Sequence, residues 1–245
     1  MNNKILRNFL IFILRPFLNL IPINEGLTIL TFHGLPDTKI AWFENFIKLI
    51  SNHFDFLSPE EFIKYDINCP SNKTKVLLTF DDGFYSNRVL AENVLGKYNI
   101  KAFFFITEKF LNLNSVESFK FSQINFYPNS ILKFSAVDEY KSMSLLDIRW
   151  LLDNGHMIGA HSATHQTLSS ISSPSQLYDE IVASADRLEQ MFGVKINTFA
   201  FPYGVPSLIS KESFNLADSR FQYIFSNVRG CAKDSPGLNF IFRQN

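Results

Sequence analysis

The chain has 245 residues, 46 % of them hydrophobic and 19 % charged, which suits one large α/β domain with a sizeable core or two small ones. Lys plus Arg and Asp plus Glu are equal at 23 each, so no net field favours nucleic acid or an acidic polymer as a partner. The two cysteines, Cys69 and Cys231, stand apart in sequence, form no CxxC metal motif and do not set the redox compartment.

Residues 1–23 carry Lys4 and Arg7, then Phe9-Leu-Ile-Phe-Ile-Leu14, then Arg15 and Pro16. That apolar run is far shorter than the roughly 20 residues a membrane span needs, and no small-residue cleavage site follows it. Two readings stand: a helix packed on the domain, or a basic apolar helix lying on a membrane surface. The expected location is therefore cytoplasmic, with peripheral contact at the inner membrane of a bacterium through residues 1–23. Export by a route without a recognisable signal stays open. Residues 24–245 read as one catalytic domain.

Leu27 to Phe32 is a strand candidate that ends at a turn, His33-Gly-Leu-Pro36. Phe43 to His53 reads as a helix-to-loop segment, and Ser58-Pro-Glu-Glu-Phe62 reads as a helix N-cap followed by proline and acids in the first turn. A polar connection, residues 68–75, leads into the buried strand Lys75 to Thr79. Phe84 to Tyr98 is helical, with Val89, Leu90, Val94 and Leu95 spaced for a core face. Lys101 to Thr107 is a buried strand. The segment that follows, to about Ser142, is rich in aromatics, shows no clear period, and reads as an inserted loop near the cleft.

A helix from Ser144 to Asn154 is stopped by Gly155, and a short strand, His156 to Ala160, follows it. Another helix starts at Ser173-Pro174 and runs to Gly193. Ile196 to Phe201 is the next strand and turns out at Pro202-Tyr-Gly204. Phe221 to Phe225 and Leu238 to Phe242 are the last strands, closing on Arg243. Strands alternating with helices throughout predict a parallel, barrel-like α/β domain.

Thr79-Phe-Asp-Asp-Gly83 ends one strand, and His161-Ser-Ala-Thr-His165 ends another. Taken alone, a DD pair is a common turn or helix cap, and two histidines four apart are commonly structural. Their co-occurrence at strand ends is what points to chemistry. Neighbouring side chains on a strand point opposite ways, so a turn at Gly83 is needed to bring both carboxylates to one cleft. His161 and His165 can meet on one helical face or around one tight loop. With Asp82 they would form a two-His, one-carboxylate metal site with open positions, leaving Asp81 as a base.

The TFDDG run, Gly155 to His165 and Phe199-Ala-Phe-Pro-Tyr-Gly204 resemble, in that order, the motifs of the polysaccharide deacetylases, the NodB-homology enzymes of carbohydrate esterase family 4. The resemblance implies an irregular (β/α) barrel with about seven parallel strands. It also implies a hydrolase that removes an N-acetyl group from an amino sugar in a glycan or glycan precursor. It makes Asp82, His161 and His165 the ligands of one divalent metal, with zinc suited and nickel, cobalt or iron also able to bind. Asp81 becomes the catalytic base, and the backbone N–H of Tyr203 the oxyanion donor.

The C-terminal Leu-x-His-Asp motif of many members is absent. Some relatives instead carry the catalytic histidine on the first strand, in a motif resembling Thr31-Phe-His33, which makes His33 the general acid. The family's motif arginine, which helps hold the base, is replaced by Ala200. Arg243, at the end of the last predicted strand, could supply the guanidinium. Two alternatives remain: a deformylase or other amidase acting on a lipid-linked sugar, and a non-catalytic glycan-binding module on the same barrel.

Overall fold

The computed structural model describes residues 26–66 and 74–244. The predicted helix at residues 1–23, most of the polar connection at 68–75, and Cys69 lie outside the described residues.

Eight strands form one parallel sheet: β1 (Leu27–Phe32), β2 (Asp55–Phe56), β3 (Lys75–Phe80), β4 (Ala102–Ile106), β5 (Met157–Ala160), β6 (Thr198–Ala200), β7 (Tyr223–Arg229) and β8 (Ile241–Arg243). Seven of them follow the order β1-β3-β4-β5-β6-β7-β8, while β2 pairs with the start of β3. The two ends then meet, because Thr31 N–H donates to the Gln244 carbonyl (2.7 Å) and Gln244 N–H to that of Ile29 (2.7 Å). The result is a nearly closed barrel of seven parallel strands with helices outside, as expected for a (β/α) barrel.

Period-two alternation sorts the strand side chains. Leu30, Val76, Leu78, Phe80, Phe104 and Ile158 face the helices. Leu27, Ile29, Leu77, Phe103, Phe105, Tyr223, Phe225 and Ile241 fill the lumen. Phe62, from the short helix α2 (Pro59–Ile63), packs its ring against Phe103, Tyr223 and Phe225 and plugs the end where the strands begin. Midway along, a Cβ on Gly159 would lie 2.5 Å from the Phe105 ring, so β5 needs glycine there to admit that ring. Above these apolar layers the inward positions turn polar: Thr31, Thr79, Asp81, Thr107, His161 and Arg243, all buried. The C-terminal mouth of the barrel is thus the polar end, where strand-end residues converge.

Outside, α1 (Ile40–Ser51) buries Phe43, Ile47 and Ile50. The helix expected over Phe84 to Tyr98 is α-helical only as α3 (Tyr85–Asn93), with a 3₁₀ turn at Leu95–Tyr98. The segment expected to be an irregular loop is folded. It contains α4 (Ser115–Phe121), capped reciprocally by Asn114 and Glu117, then a π turn at Ser122–Phe126 and a 3₁₀ stretch at Phe134–Tyr140. These pieces are too short to show a helical period in sequence. The fold continues with α5 (Leu145–Asp153), α6 (Pro174–Tyr178), α7 (Ser184–Phe192) and α8 (Lys211–Arg220). The α6–α7 pair corresponds to the single helix expected from Ser173, widened by a π turn at Asp179–Ala183. Among the described residues no helix is long and apolar enough to cross a membrane.

Candidate metal and catalytic site

Asp81 and Asp82 leave the end of β3. The β1–β3 ladder runs one step past the strands, since Asp81 N–H donates to the Phe32 carbonyl (2.8 Å), which sets His33 beside Asp81. Asp82 then takes a left-handed backbone (φ 76°), the turn that breaks strand alternation and lets both carboxylates face the mouth. Both are buried.

His161 leaves the end of β5, and the loop after it folds back so that His165 meets it. The loop resolves the two geometries left open by the spacing: it is a tight loop, with left-handed Ser162 (φ 61°) and His165 (φ 63°). His161 Nε2 lies 3.5 Å and His165 Nε2 3.4 Å from Asp82 Oδ1. Each Nδ1 points the other way, to the carbonyl of Ala200 (2.7 Å) for His161 and of Asn125 (3.3 Å) for His165. A carbonyl can only accept, so both Nδ1 atoms carry a proton, and in the neutral rings both Nε2 atoms turn a lone pair inward.

Asp82 Oδ1 is buried and has no hydrogen-bond partner, the histidine distances being too long to count as bonds. A buried, unpartnered carboxylate oxygen facing two imidazole lone pairs is costly unless a cation lies between them. Ligand atoms held tetrahedrally by bonds of about 2.1 Å sit about 3.4 Å apart, which matches the two measured separations. Asp82, His161 and His165 therefore fit a divalent cation.

Burial pushes the Asp82 carboxyl up, but the adjacent His161 imidazole and the charges of His165 and His33 outweigh it and hold the pKa at about 2. Burial holds His165 down at about 4, which favours the neutral ligand form. For His161, burial is outweighed by Asp82 and Asp81, and the pKa rises.

Asp81 is gripped by Arg243. The guanidinium donates from both terminal nitrogens, at 2.8 Å to Oδ1 and 2.8 Å to Oδ2. Its remaining donors go to the Ser226 carbonyl (2.8 Å), Asn227 Oδ1 (2.9 Å) and Thr79 Oγ1 (3.3 Å). Burial raises the Asp81 carboxyl, and the charges of Arg243 and His161 together with the Arg243 hydrogen bonds reverse that, so the pKa falls below the usual carboxylate value. Ala200 lies in the apolar part of the lumen on β6, paired with Phe225, and Arg243 reaches the polar layer above it from β8.

His33 is half-buried at the mouth, near enough for its charge to act on Asp81, Asp82 and His165. Tyr203 has a left-handed backbone (φ 59°) and its ring lies 4.7 Å from that of His165. The turn is held by Asn227, which donates from Nδ2 to the Tyr203 carbonyl (3.2 Å) and from its N–H to that of Gly204 (2.8 Å). A Cβ on Gly204 would lie 2.5 Å from the Asn227 nitrogen, so this approach needs glycine. Among the described residues nothing accepts a hydrogen bond from the Tyr203 N–H, which is free for a ligand.

All seven residues singled out by sequence thus gather at one mouth. Sequence reasoning missed Asn227, which links the Arg243 guanidinium to the Tyr203 turn, and Asn125, which anchors His165 through its main chain. A backbone carbonyl leaves no residue-type signal, and a lone Asn near a strand end is indistinguishable from a turn residue.

The family model of polysaccharide deacetylase matches residues 68–220, more than half of the chain. This chain belongs to the polysaccharide deacetylase family. No curated protein matches it in sequence. Among solved structures this deacetylase-family chain is similar to IcaB from Ammonifex degensii, with a TM-score of 0.68 and 20 % identity, covering 90 % of this chain and 91 % of that one. It is similar to the Streptococcus pyogenes deacetylase PplD, with a TM-score of 0.67 and 19 % identity over 89 % and 91 % of the two chains. A polysaccharide deacetylase from Bacillus cereus matches with a TM-score of 0.66 and 20 % identity over 90 % of this chain. The chain spans 64 % of the length of that structure and of a Bacillus anthracis counterpart. At these identities the likeness supports the barrel itself, and the family membership rests on the sequence match.

Proposed function

We propose that this chain is a metal-dependent N-deacetylase of an N-acetylated glycan or glycan precursor. The observation that carries the reading is the unpartnered Asp82 Oδ1 between two inward imidazole lone pairs, one residue from a buried carboxylate clamped by arginine. Asp82, His161 and His165 would hold the cation, with zinc the best match to this donor set and nickel, cobalt or iron also suited. When bound, it supplies Lewis-acid polarisation of the acyl carbonyl and lowers the pKa of water.

The chain's own groups do the rest. Asp81, held by Arg243 in a fixed orientation, accepts a proton from the attacking water as the oxygen–carbon bond forms. Its low pKa makes position, rather than a matched pKa, its contribution. The Tyr203 N–H donates to the oxyanion of the tetrahedral intermediate. His33, protonated, gives its proton to the nitrogen as the carbon–nitrogen bond breaks, releasing the free amine and the carboxylic acid. The S. pyogenes PplD structure is a complex with acetate, the acid that N-acetyl hydrolysis yields.

The test is acetate release from N-acetylglucosamine oligomers by metal-reconstituted protein, with Asp81→Asn and His33→Ala as controls. Metal-dependent acetate that vanishes in Asp81→Asn is the expected result. Stoichiometric metal with no release from acetylated, formylated or lipid-linked sugars would refute the reading. A fully active His33→Ala enzyme would remove the general acid assigned to the first strand.

A further inference from the structure

The loop that carries His161 and His165 contains two left-handed, non-glycine residues, so something must hold it in that form. One side is braced by the 3₁₀ turn after β4, where Glu108 and Lys109 N–H groups donate to the carbonyls of Ser162 (3.1 Å) and Ala163 (2.9 Å). Two other supports come from outside every motif described above, and each is a π turn.

The first is Glu180, in the π turn Asp179–Ala183. The residue is 2 % exposed, and both of its carboxylate oxygens bond to Thr164, the residue before His165. Oε2 accepts from the Thr164 N–H (2.9 Å) and Oε1 from its hydroxyl (2.6 Å). The Glu180 carbonyl also accepts from the Ala163 N–H (3.0 Å) and the Ser184 hydroxyl (2.6 Å). A buried carboxylate is costly to desolvate, and these bonds are what it gains. The second is the π turn Ser122–Phe126, whose Asn125 carbonyl accepts from His165 Nδ1 and from the Tyr203 hydroxyl (2.9 Å). The next residue, Phe126, sets its ring edge-on to the His165 imidazole at 4.9 Å. A π turn displaces one residue out of helical register, which is how Glu180 and the Asn125 carbonyl come to face the loop.

We propose that these two π turns aim His165: Glu180 is a positioning residue that fixes the loop through Thr164, and the Asn125 carbonyl fixes the ring and its tautomer. The proposal rests on the reading of His165 as a metal ligand, and its consequence is that metal affinity depends on two turns that touch no metal. It also gives the inserted segment a role, as the wall that sets one ligand.

Three variants test it: Glu180→Gln, Thr164→Val, and deletion of Ile124, an exposed residue whose loss would convert the π turn to an α turn. Zinc affinity is read by competition with a chromophoric chelator, and the His165 tautomer in metal-free protein by long-range proton–nitrogen NMR. The expected result is zinc binding weakened about 10- to 100-fold at unchanged stoichiometry and near-native melting temperature, the effect usual for partners behind a ligand. The Nδ1–H form of His165 should also give way to a tautomer mixture in each variant. Folded variants with native zinc affinity and an unchanged tautomer would overturn the proposal. A wild-type protein that binds no zinc, but whose His165 tautomer is fixed and lost in the variants, would refute the metal reading and leave the aiming intact. Should Glu180→Gln fail to fold, Thr164→Val removes a single hydroxyl donor and still decides the matter.

Discussion

Asp81 and Arg243 are both essentially inaccessible to solvent, and each supplies the other's charge. Removing one partner of such a pair strands the other, a loss of about 3–5 kcal/mol. Arg243→Ala is therefore expected to lower the urea midpoint sharply as well as activity, which makes it a poor probe of catalysis alone. Arg243→Lys is more informative: it keeps the charge and loses the two parallel bonds that orient the carboxylate. We expect a folded enzyme whose kcat falls about 100-fold with little change in KM, the scale of a small misplacement of a catalytic group. Native kcat in that variant would show that the guanidinium serves stability only. The clamp of Asp81 by Arg243, with alanine at position 200, makes a second prediction. Ala200 pairs with Phe225, over whose ring the Arg243 guanidinium lies (6.0 Å), so Ala200→Arg should recover part of the kcat lost in Arg243→Lys, and no recovery would mean that the two positions are not equivalent.

The elements divide by how far their local signals reach. β1, β3 and β4 are readable because β-branched and aromatic runs end at turn residues, and α5 because Ser144 and Asp147 form a reciprocal cap before an apolar stripe. The three motif turns are readable because paired carboxylates, paired histidines and Pro-Tyr-Gly are residue types that carry chemistry, although their left-handed positions are mostly not glycine. The inserted segment between β4 and α5 is not, since its helical pieces are held by Phe84, Phe110 and Phe126 packing together rather than by their own period. Arg243 could be placed only at a strand end, and its partner was decided by barrel closure through β8.

His156, at the junction of α5 and β5, gives a prediction at this scale. Its Nδ1 accepts from the Ala102 N–H (3.2 Å), so the bond needs the neutral ring. Burial first, then the charges of Lys101 and Arg88, lower its pKa to about 4 from the ordinary 6.5. Between those values the unfolded chain binds the proton and the folded chain does not. The contribution of His156 is thus complete above pH 6.5 and declines as the pH falls, by about 3 kcal/mol near pH 4. His165 is depressed in the same direction, so the comparison must be with His156→Gln, which offers an acceptor that does not titrate. The variant should lose less stability between pH 7 and 4.5 in urea unfolding, and an identical decline would remove His156 from the acid response.

At the scale of the whole molecule, the candidate site exists only when the barrel closes. Asp82 comes from the end of β3 and both histidines from the end of β5, while Arg243 arrives on the strand that returns to β1. No short stretch of the unfolded chain can assemble that ligand set, because Asp82 and His161 are far apart in sequence. A cation that binds the native site therefore stabilises the fold by mass action. At free metal 100 times the dissociation constant the gain is about 2.7 kcal/mol. For a domain of this size each kcal/mol is worth about 2–4 °C in melting temperature, so metal should raise Tm by roughly 5–11 °C and chelation should reverse it. Asp82→Asn keeps the shape and removes the charge, relieving the orphaned carboxylate in the metal-free protein. That variant should melt at or above the metal-free wild type and gain little from zinc. An equal zinc shift in the two proteins would place the bound ion somewhere other than between Asp82, His161 and His165.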